Sequence, residues 1–167
     1  MIKYLLPDEY YNSIYEIDIG RLKSKGIKAF ICDIDNTLVT YDDPEPTNEV
    51  YKWLHKVKDS GFSVSFVSNN NLKRVERFNS RLKYFALHNS GKPSRKGLRA
   101  AIAAMGSRPE NTALIGDQLF TDIFAGKRME LHCILVKPIK DKKTLLFAFK
   151  RLLERPFLYY YDKRRKQ

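Results

Sequence analysis

The hydrophobic pattern between residues 27 and 136 alternates between continuous apolar runs and helical periodicity. Four runs are apolar at nearly every position, as in strands buried on both faces of a sheet, and they occupy 27–34, 62–67, 112–116 and 131–136. A further short strand is predicted around Phe85. Regular alternation of strands and helices indicates parallel strands joined by right-handed crossovers. The sequence therefore predicts an α/β fold with a doubly wound parallel sheet and helices on both faces.

Helical spacing of apolar residues fills the segments between the predicted strands. Thr47 is expected to cap the first of these helices, and Gly61 is expected to end it. Ser94 is expected to cap a later helix that ends before Gly106. Each helix then connects one strand to the next across a face of the sheet.

Length and composition indicate a globular domain. The chain has 167 residues, of which 43% are hydrophobic, enough to bury a core. No apolar stretch approaches the roughly 20 residues that span a bilayer, and the N-terminus lacks the sustained apolar segment of a secretory signal. Cys32 and Cys133 lack metal-ligand spacing, which favours two reduced cysteines in a cytoplasmic protein.

We expect a single domain over residues 1–167, with a core at 27–136, an N-terminal flank at 1–26 and a basic C-terminal segment at 137–167. The net charge is +12, and residues 137–167 hold eleven basic residues against three acidic ones. This balance favours anionic partners or a negatively charged surface. The C-terminal segment is expected to form an amphipathic helix with a basic tail. It would lie either on an anionic membrane surface or against the sheet, and both interpretations stay open.

Polar side chains follow the predicted strands at their carboxyl ends, where sheets of this kind form their ligand sites. They are Asp33, Asp35 and Thr37, then Ser68 and Asn69, then Lys92, and finally Asp117 and Asp122. Carboxylates this close repel one another and are costly to bury unpaired. A hard divalent cation such as Mg²⁺ takes oxygen ligands and would relieve the repulsion. The strand ends therefore predict a metal site.

The order of these residues resembles the haloacid dehalogenase (HAD) superfamily of phosphohydrolases. The resemblance rests on Asp33-x-Asp35-x-Thr37, Ser68, Lys92 and Asp117-x4-Asp122, each at a strand end. A closer similarity is to the YqeG family of capless class IIIA phosphatases, related to the phosphatidylglycerophosphate phosphatases. It is carried by the LLP…SIY leader and by SNN, GKPS and GDQLFTD.

The resemblance implies a role for each residue. Asp33 is expected to attack phosphorus and form an aspartyl phosphate, while Asp35 protonates the leaving oxygen and then activates water. The other residues are expected to hold the substrate and the ion. Phosphoryl oxygens would contact Ser68, Asn69 and Lys92; Mg²⁺ would contact Asp33, Asp117 and the main-chain carbonyl of Asp35; Thr37 would support the loop, and Asp122 would orient Lys92 or a metal-bound water.

Simpler interpretations of single residues remain open at this point. Asp117 and Asp122 could cap the helix that follows them. Lys92 could be a surface lysine, and Ser68 could be a turn former. Three-dimensional placement decides between these interpretations and the roles that the resemblance implies.

The spacing between the motifs bears on the substrate. Residues 34–67 and 69–91 number 34 and 23, which leaves room only for a crossover helix and its strand. Without a cap domain the site should be open, which suits a phosphate presented by a macromolecule, a membrane or a partner. With the resemblance, this favours hydrolysis of phosphatidylglycerophosphate at the inner face of a membrane. The alternatives are a phosphate on a nucleic-acid end or phosphoprotein, and a non-catalytic protein that docks on RNA or ribosomes.

Overall fold

The computed structural model describes residues 2–140 and 145–165, and within these residues the strands form one six-stranded parallel sheet. Along the chain the strands are β1 (Glu9–Tyr11), β2 (Ala29–Cys32), β3 (Ser63–Val67), β4 (Phe85–Leu87), β5 (Thr112–Gly116) and β6 (His132–Val136). Their order across the sheet is β1-β6-β5-β2-β3-β4. The chain runs outward from β2 to β4 and then returns to β5, so the winding reverses between β2 and β5. The predicted doubly wound α/β fold is confirmed.

Helices cover both faces of the sheet. Those described are α1 (Ile19–Ser24), α2 (Asn48–Asp59), α3 (Leu72–Asn79), α4 (Lys96–Ala104), α5 (Phe124–Lys127) and α6 (Leu145–Arg165). A π-helical turn at Leu119–Ile123 leads directly into α5. The first three helices pack on one face, and α4, α5 and α6 pack on the other.

The central strands explain why the chain folds around residues 27–136. Every residue of β2 and β5 is buried, as the uninterrupted apolar runs predict. Successive side chains of a strand point to opposite faces, so Phe30 joins the core beneath α1 to α3 and Ile31 joins the core beneath α4 to α6. The rigid centre of the sheet thus lies directly below the strand ends that carry the polar residues.

The predicted helix starts agree with the structure to within one residue. The Thr47 side chain accepts a hydrogen bond from Val50 N at 3.3 Å and caps α2. Ser94 was expected at the cap of α4, but Arg95 occupies that position. Ser94 lies one residue earlier, where its Oγ accepts a hydrogen bond from Lys96 N at 3.3 Å.

The N-terminal flank contributes a strand that the sequence pattern did not predict. β1 pairs in parallel with β6 and forms the edge of the sheet. Its Glu9 is buried, and its carboxylate lies 3.0 Å from both Lys25 Nζ and His132 Nε2. Burial would raise the pKa of Glu9, but hydrogen bonds from Tyr11, Lys25 and His132 hold it at about 2. The flank is therefore held to the sheet by charge as well as by backbone pairing.

The C-terminal segment forms α6, and no described helix combines the length and apolarity needed to cross a bilayer. Expectations that concern residues 141–144 and 166–167 lie outside the described part of the chain. The same holds for the side chains of 145–151. From Leu152 onward, the described side chains divide into a buried face and an exposed face.

Candidate active site

The predicted site residues meet at the carboxyl ends of β2, β3 and β5, beside the point where the winding reverses. Seven of the eight are buried and Asn69 is exposed. Four of them, Asp33, Asp35, Ser68 and Asn69, line a cavity of about 290 Å³ together with Tyr41, Asn70 and Gln118. The sheet topology therefore brings residues from three separate strands to one opening.

Lys92 lies at the centre of the site. Its Nζ is 2.6 Å from Asp33 Oδ1, 2.7 Å from Asp122 Oδ1 and 2.7 Å from the carbonyl oxygen of Val67. Burial would lower the pKa of Lys92, but the carboxylates of Asp122 and Asp33 raise it above its ordinary value. Lys92 is thus a buried ammonium ion and not a surface lysine.

Asp33 sits in an environment that disfavours its charge. Burial raises the pKa of Asp33 to about 7; Lys92 acts in the opposite direction, while Asp122 and Asp35 add to the increase. The Thr37 hydroxyl lies 3.4 Å from Asp33 Oδ2 and supplies a weak hydrogen bond. One ammonium ion therefore compensates only part of the negative charge around Asp33.

The site has the charge and geometry of a cation site. Ligand oxygens of Asp33, Asp117 and Asp122 lie within 4.8 Å of one another. With Asp35 they form a group of four buried carboxylates, against which Lys92 and the Arg74 guanidinium supply two positive charges. Two further positive charges would balance the group, which is the charge of Mg²⁺. The residues present therefore fit a divalent ion.

Asp35 is held by Arg74, which the sequence analysis did not single out, and by Asn70, to which it gave no role of its own. Arg74 donates from Nε at 3.0 Å and from Nη2 at 2.8 Å to Asp35 Oδ1, and Asn70 Nδ2 donates to Oδ2 at 2.9 Å. Arg74 Nη2 also donates to the carbonyl of Thr40 at 3.2 Å. These contacts fix the orientation of the Asp35 carboxylate. Arg74 lies in the first turn of α3, directly after the β3 strand end, and that position is the signal that could have identified it.

Asn36 shapes the loop that carries the two aspartates, directly after Asp35. This residue is fully buried and has φ = 67°, a left-handed conformation that Asn adopts more readily than most residues. Its Nδ2 donates to the carbonyl of Lys140 at 2.7 Å, and its own carbonyl accepts from Ile139 N at 3.2 Å. Residues 139 and 140, which follow β6, are thereby tied to the loop that carries Asp33 and Asp35.

Ser68 and Asn69 both line the cavity, but their side chains make different contacts. The Ser68 Oγ accepts a hydrogen bond from Asn70 N at 3.0 Å. The expected role of Asn69 in phosphate binding stays a prediction. In this structure its side chain contacts the main chain of Lys92. Its Oδ1 accepts from Lys92 N at 2.7 Å, and its Nδ2 donates to the carbonyl of Lys92 at 3.0 Å. The Asn69 side chain therefore positions Lys92 in this structure.

Asp122 approaches the site closely because residue 116 is glycine. A Cβ atom at Gly116 would lie 2.5 Å from the Asp122 side chain, too close for any other residue. Asp122 Oδ2 accepts a hydrogen bond from Gln118 N at 3.2 Å, while Oδ1 contacts Lys92. Asp122 thus contacts both the main chain of the turn that follows β5 and the ammonium ion.

Replacing Arg74 with Gln tests its role as a positioning residue. Because the variant loses the paired hydrogen bonds to Asp35, we expect kcat for a phosphate ester to fall about 10- to 100-fold while KM changes little. The control is Arg77→Gln, one turn along α3, where the guanidinium is exposed and lies 3.9 Å from Glu45. Steady-state kinetics of both variants give the comparison. Equal kcat values would show that Arg74 does not act through Asp35.

Known proteins are similar to this chain in sequence or in fold. Residues 89–150 match a family model described as "HAD-hyrolase-like". The chain is 37% identical over 156 residues to the Bacillus subtilis (strain 168) protein named "Probable phosphatase YqeG", covering 93% of this chain and 91% of that protein. Two solved structures share the fold alone.

The first of these structures is the cobalt-bound deoxy-D-mannose-octulosonate 8-phosphate phosphatase of Haemophilus influenzae. It has a TM-score of 0.54, 14% identity, and coverage of 84% of this chain and 92% of the other. The second is NagD from Escherichia coli K-12, with a TM-score of 0.53, 17% identity, and coverage of 66% and 87%.

A parallel sheet with buried aspartates and a lysine at this edge, together with these similarities, defines the class of protein: a phosphatase of the HAD superfamily. The identity to the Bacillus subtilis protein extends over nearly the whole of both chains. The chain therefore belongs to the YqeG-like family of HAD phosphatases.

Proposed function

We propose that the protein is a Mg²⁺-dependent phosphomonoesterase that forms an aspartyl phosphate on Asp33 and converts phosphatidylglycerophosphate to phosphatidylglycerol. The observation that carries the reaction is the placement of Asp33 and Asp35 on the wall of one cavity, with the Lys92 ammonium 2.6 Å from Asp33. This arrangement offers a nucleophile, an acid–base group and a fixed positive charge for the transferred phosphoryl group.

The residues divide the reaction into two displacements. In the first, the Asp33 carboxylate attacks phosphorus, the bond to the ester oxygen breaks, and Asp35 donates a proton to the departing alcohol. In the second, Asp35 accepts a proton from a water molecule that attacks the aspartyl phosphate, which releases inorganic phosphate and restores Asp33. Lys92 and Ser68 hold the phosphoryl oxygens in both steps.

The resemblance assigns the main-chain carbonyl of Asp35, and not its carboxylate, to the ion. The contacts of Asp35 support this assignment, because both oxygens of its carboxylate accept hydrogen bonds from Arg74 and Asn70. Asp33, Asp117 and that carbonyl would hold Mg²⁺, with Asp122 close by. When bound, the ion would supply Lewis-acid stabilisation of the phosphoryl oxygens. The cobalt-bound phosphatase of the same fold supports a divalent ion.

Three features support a phosphate presented from a surface. The described stretch from β2 to Lys92 contains only α2, β3, α3, β4 and loops, without an inserted domain. The cavity of about 290 Å³ suits a phosphoryl group and its nearest atoms, which leaves the remainder of a lipid outside. The net charge of +12 suits an anionic substrate surface. The particular headgroup is proposed from the resemblance of the sequence motifs to phosphatidylglycerophosphate phosphatases.

A panel of esters tests the proposal. Phosphatidylglycerophosphate in mixed micelles, soluble phosphate monoesters, a 5′-phosphorylated oligonucleotide and a phosphopeptide would each be incubated with the protein, after chelation and after Mg²⁺ is restored. We expect the lipid to release phosphate fastest, and release to require Mg²⁺.

Each other result identifies the part that is wrong. Faster turnover of the oligonucleotide or phosphopeptide would contradict the lipid substrate and leave the chemistry intact. Undiminished turnover after chelation would contradict the metal assignment. Failure with every ester would favour the non-catalytic docking alternative.

A further inference from the structure

The last helix, α6, is fixed to the domain by one of its faces. Glu154 is buried, and its carboxylate accepts a hydrogen bond from Leu119 N at 2.9 Å. The Phe157 ring packs edge-on against Phe120, with ring centroids 5.9 Å apart. Tyr161, one turn further along, is also buried. Residues three, four and seven apart share one face of a helix, so these contacts fix the rotation of α6 about its axis.

The opposite face of α6 is apolar and basic. It carries two leucines, two tyrosines, a proline and two cations, all exposed; we call it the outer face, and it consists of Leu152, Leu153, Arg155, Pro156, Tyr159, Tyr160 and Lys163. Among the described side chains of α6, the acidic one, Glu154, points inward. Leu152 is 56% exposed and Tyr159 is 73% exposed. Because the inward contacts fix the rotation of the helix, the side chains of these two leucines and two tyrosines stay exposed to solvent.

A single exposed apolar residue is ordinary, but four on one helix face indicate a surface that binds a partner or a membrane. A second copy of this chain is a poor candidate, because two outer faces would bring like charges together. RNA would engage the cations and tyrosines and leave the leucines exposed. An anionic bilayer can contact both the apolar and the basic side chains of the outer face. The leucines and tyrosines would enter the headgroup region, while Arg155 and Lys163 would contact lipid phosphates.

We propose that the outer face of α6 docks the protein on an anionic lipid bilayer. The helix has 21 residues and is about 30 Å long, and it would lie in the plane of the surface. Its inward residues hold Leu119 and Phe120, which directly follow Gln118 in the wall of the active-site cavity. Docking therefore holds the wall of the active site close to the lipid headgroups.

Vesicle flotation with the full chain tests this inference. The probes are vesicles of phosphatidylcholine alone and of phosphatidylcholine mixed with phosphatidylglycerol. We expect binding to the mixed vesicles that weakens with added salt. The double variant Leu152→Ser/Tyr159→Ser should weaken binding about 10- to 100-fold, because its apolar side chains no longer enter the interface.

The matched control is Tyr15→Ser/Leu72→Ser, which removes a tyrosine and a leucine with exposed fractions of 52% and 47%. These side chains lie on the N-terminal flank and on α3, away from α6, and this variant should bind vesicles like the wild type. Phosphate release from a soluble ester should be the same in both variants and the wild type, which verifies folding.

Several results would overturn the docking proposal. Vesicle binding that survives in the α6 variant, or that is lost equally in the control, would contradict it. If the wild type does not bind vesicles and the α6 variant loses a dimer seen by light scattering, the outer face contacts a second copy. If the wild type does not bind vesicles and the α6 variant loses oligonucleotide binding, the outer face contacts RNA. Binding is measured without turnover, so it can hold even if phosphatidylglycerophosphate is not the substrate.

Discussion

Replacing Asp33 with Asn should abolish phosphate release and leave the fold intact. The amide has nearly the same shape as the carboxylate but cannot attack phosphorus, so we expect activity to fall by at least about 10³-fold. Lys92 keeps its contacts of 2.7 Å to Asp122 and to the carbonyl of Val67. Burial raises the pKa of Asp33 and so disfavours its charge, and the remaining contacts of Lys92 keep that ammonium paired, so we expect only a small change in stability. Phosphate release and thermal unfolding measure the two effects.

The control for this variant is Asp42→Asn. This variant also loses one carboxylate. The Asp42 side chain is exposed, however, and contacts Lys140 Nζ at 2.6 Å outside the cavity. We expect its activity to equal that of the wild type. Residual activity in Asp33→Asn at more than a few per cent of wild type would rule out Asp33 as the nucleophile. If Asp33→Asn does not fold, its activity cannot be interpreted, and the kinetics of Arg74→Gln then test the same site.

Replacing Lys92 with Met should have the largest effect on stability. Methionine keeps the length of the side chain but removes the ammonium that contacts Asp33 and Asp122, which leaves buried carboxylates without their cation. Breaking a buried ion pair in this way costs about 3–5 kcal/mol of unfolding free energy. Loss of the phosphoryl-binding charge should also lower kcat/KM by at least about 100-fold. Denaturant unfolding and steady-state kinetics measure these changes.

Lys127→Met supplies the comparison for that variant. Lys127 lies 2.8 Å from Asp8 in a pair that is partly exposed to solvent, and pairs of this kind contribute about 0–1 kcal/mol. Added Mg²⁺ should narrow the stability gap between Lys92→Met and the wild type, because a cation would replace part of the missing charge. Equal stability of the two lysine variants would show that the buried ammonium does not hold the site together.

The strands that follow residue 27 could be predicted because burial on both faces leaves a continuous apolar run in the sequence. β1 could not be predicted in the same way. It has three residues, Glu9–Tyr11, and its polarity reflects its position at the edge of the sheet. Its pairing with β6 joins residues more than 120 positions apart, and no local pattern encodes such a contact.

The site could be predicted to the extent that it depends on the chain order of strand ends. Asp33, Ser68 and Asp117 meet because their strands are neighbours in the sheet. Arg74 was missed because a basic residue on a helix otherwise indicates a solvated face. Its position in the first turn after β3 places it near the strand end, but its orientation towards Asp35 depends on the packing of α3. The Asn69 contacts with the Lys92 main chain depend on the path of a loop, which residue spacing does not specify.

The contacts of Asn36 show that the part of the chain needed to support the active site extends beyond the last strand. Its side chain and main chain bind residues 139 and 140, which lie beyond the last strand of the sheet. A fragment that stops at Val136 would contain every acidic and basic residue of the site and the whole sheet. It would nevertheless lack the outer support of the loop that holds the nucleophile. Dissecting this protein by its strands would therefore cut through the active site rather than beside it.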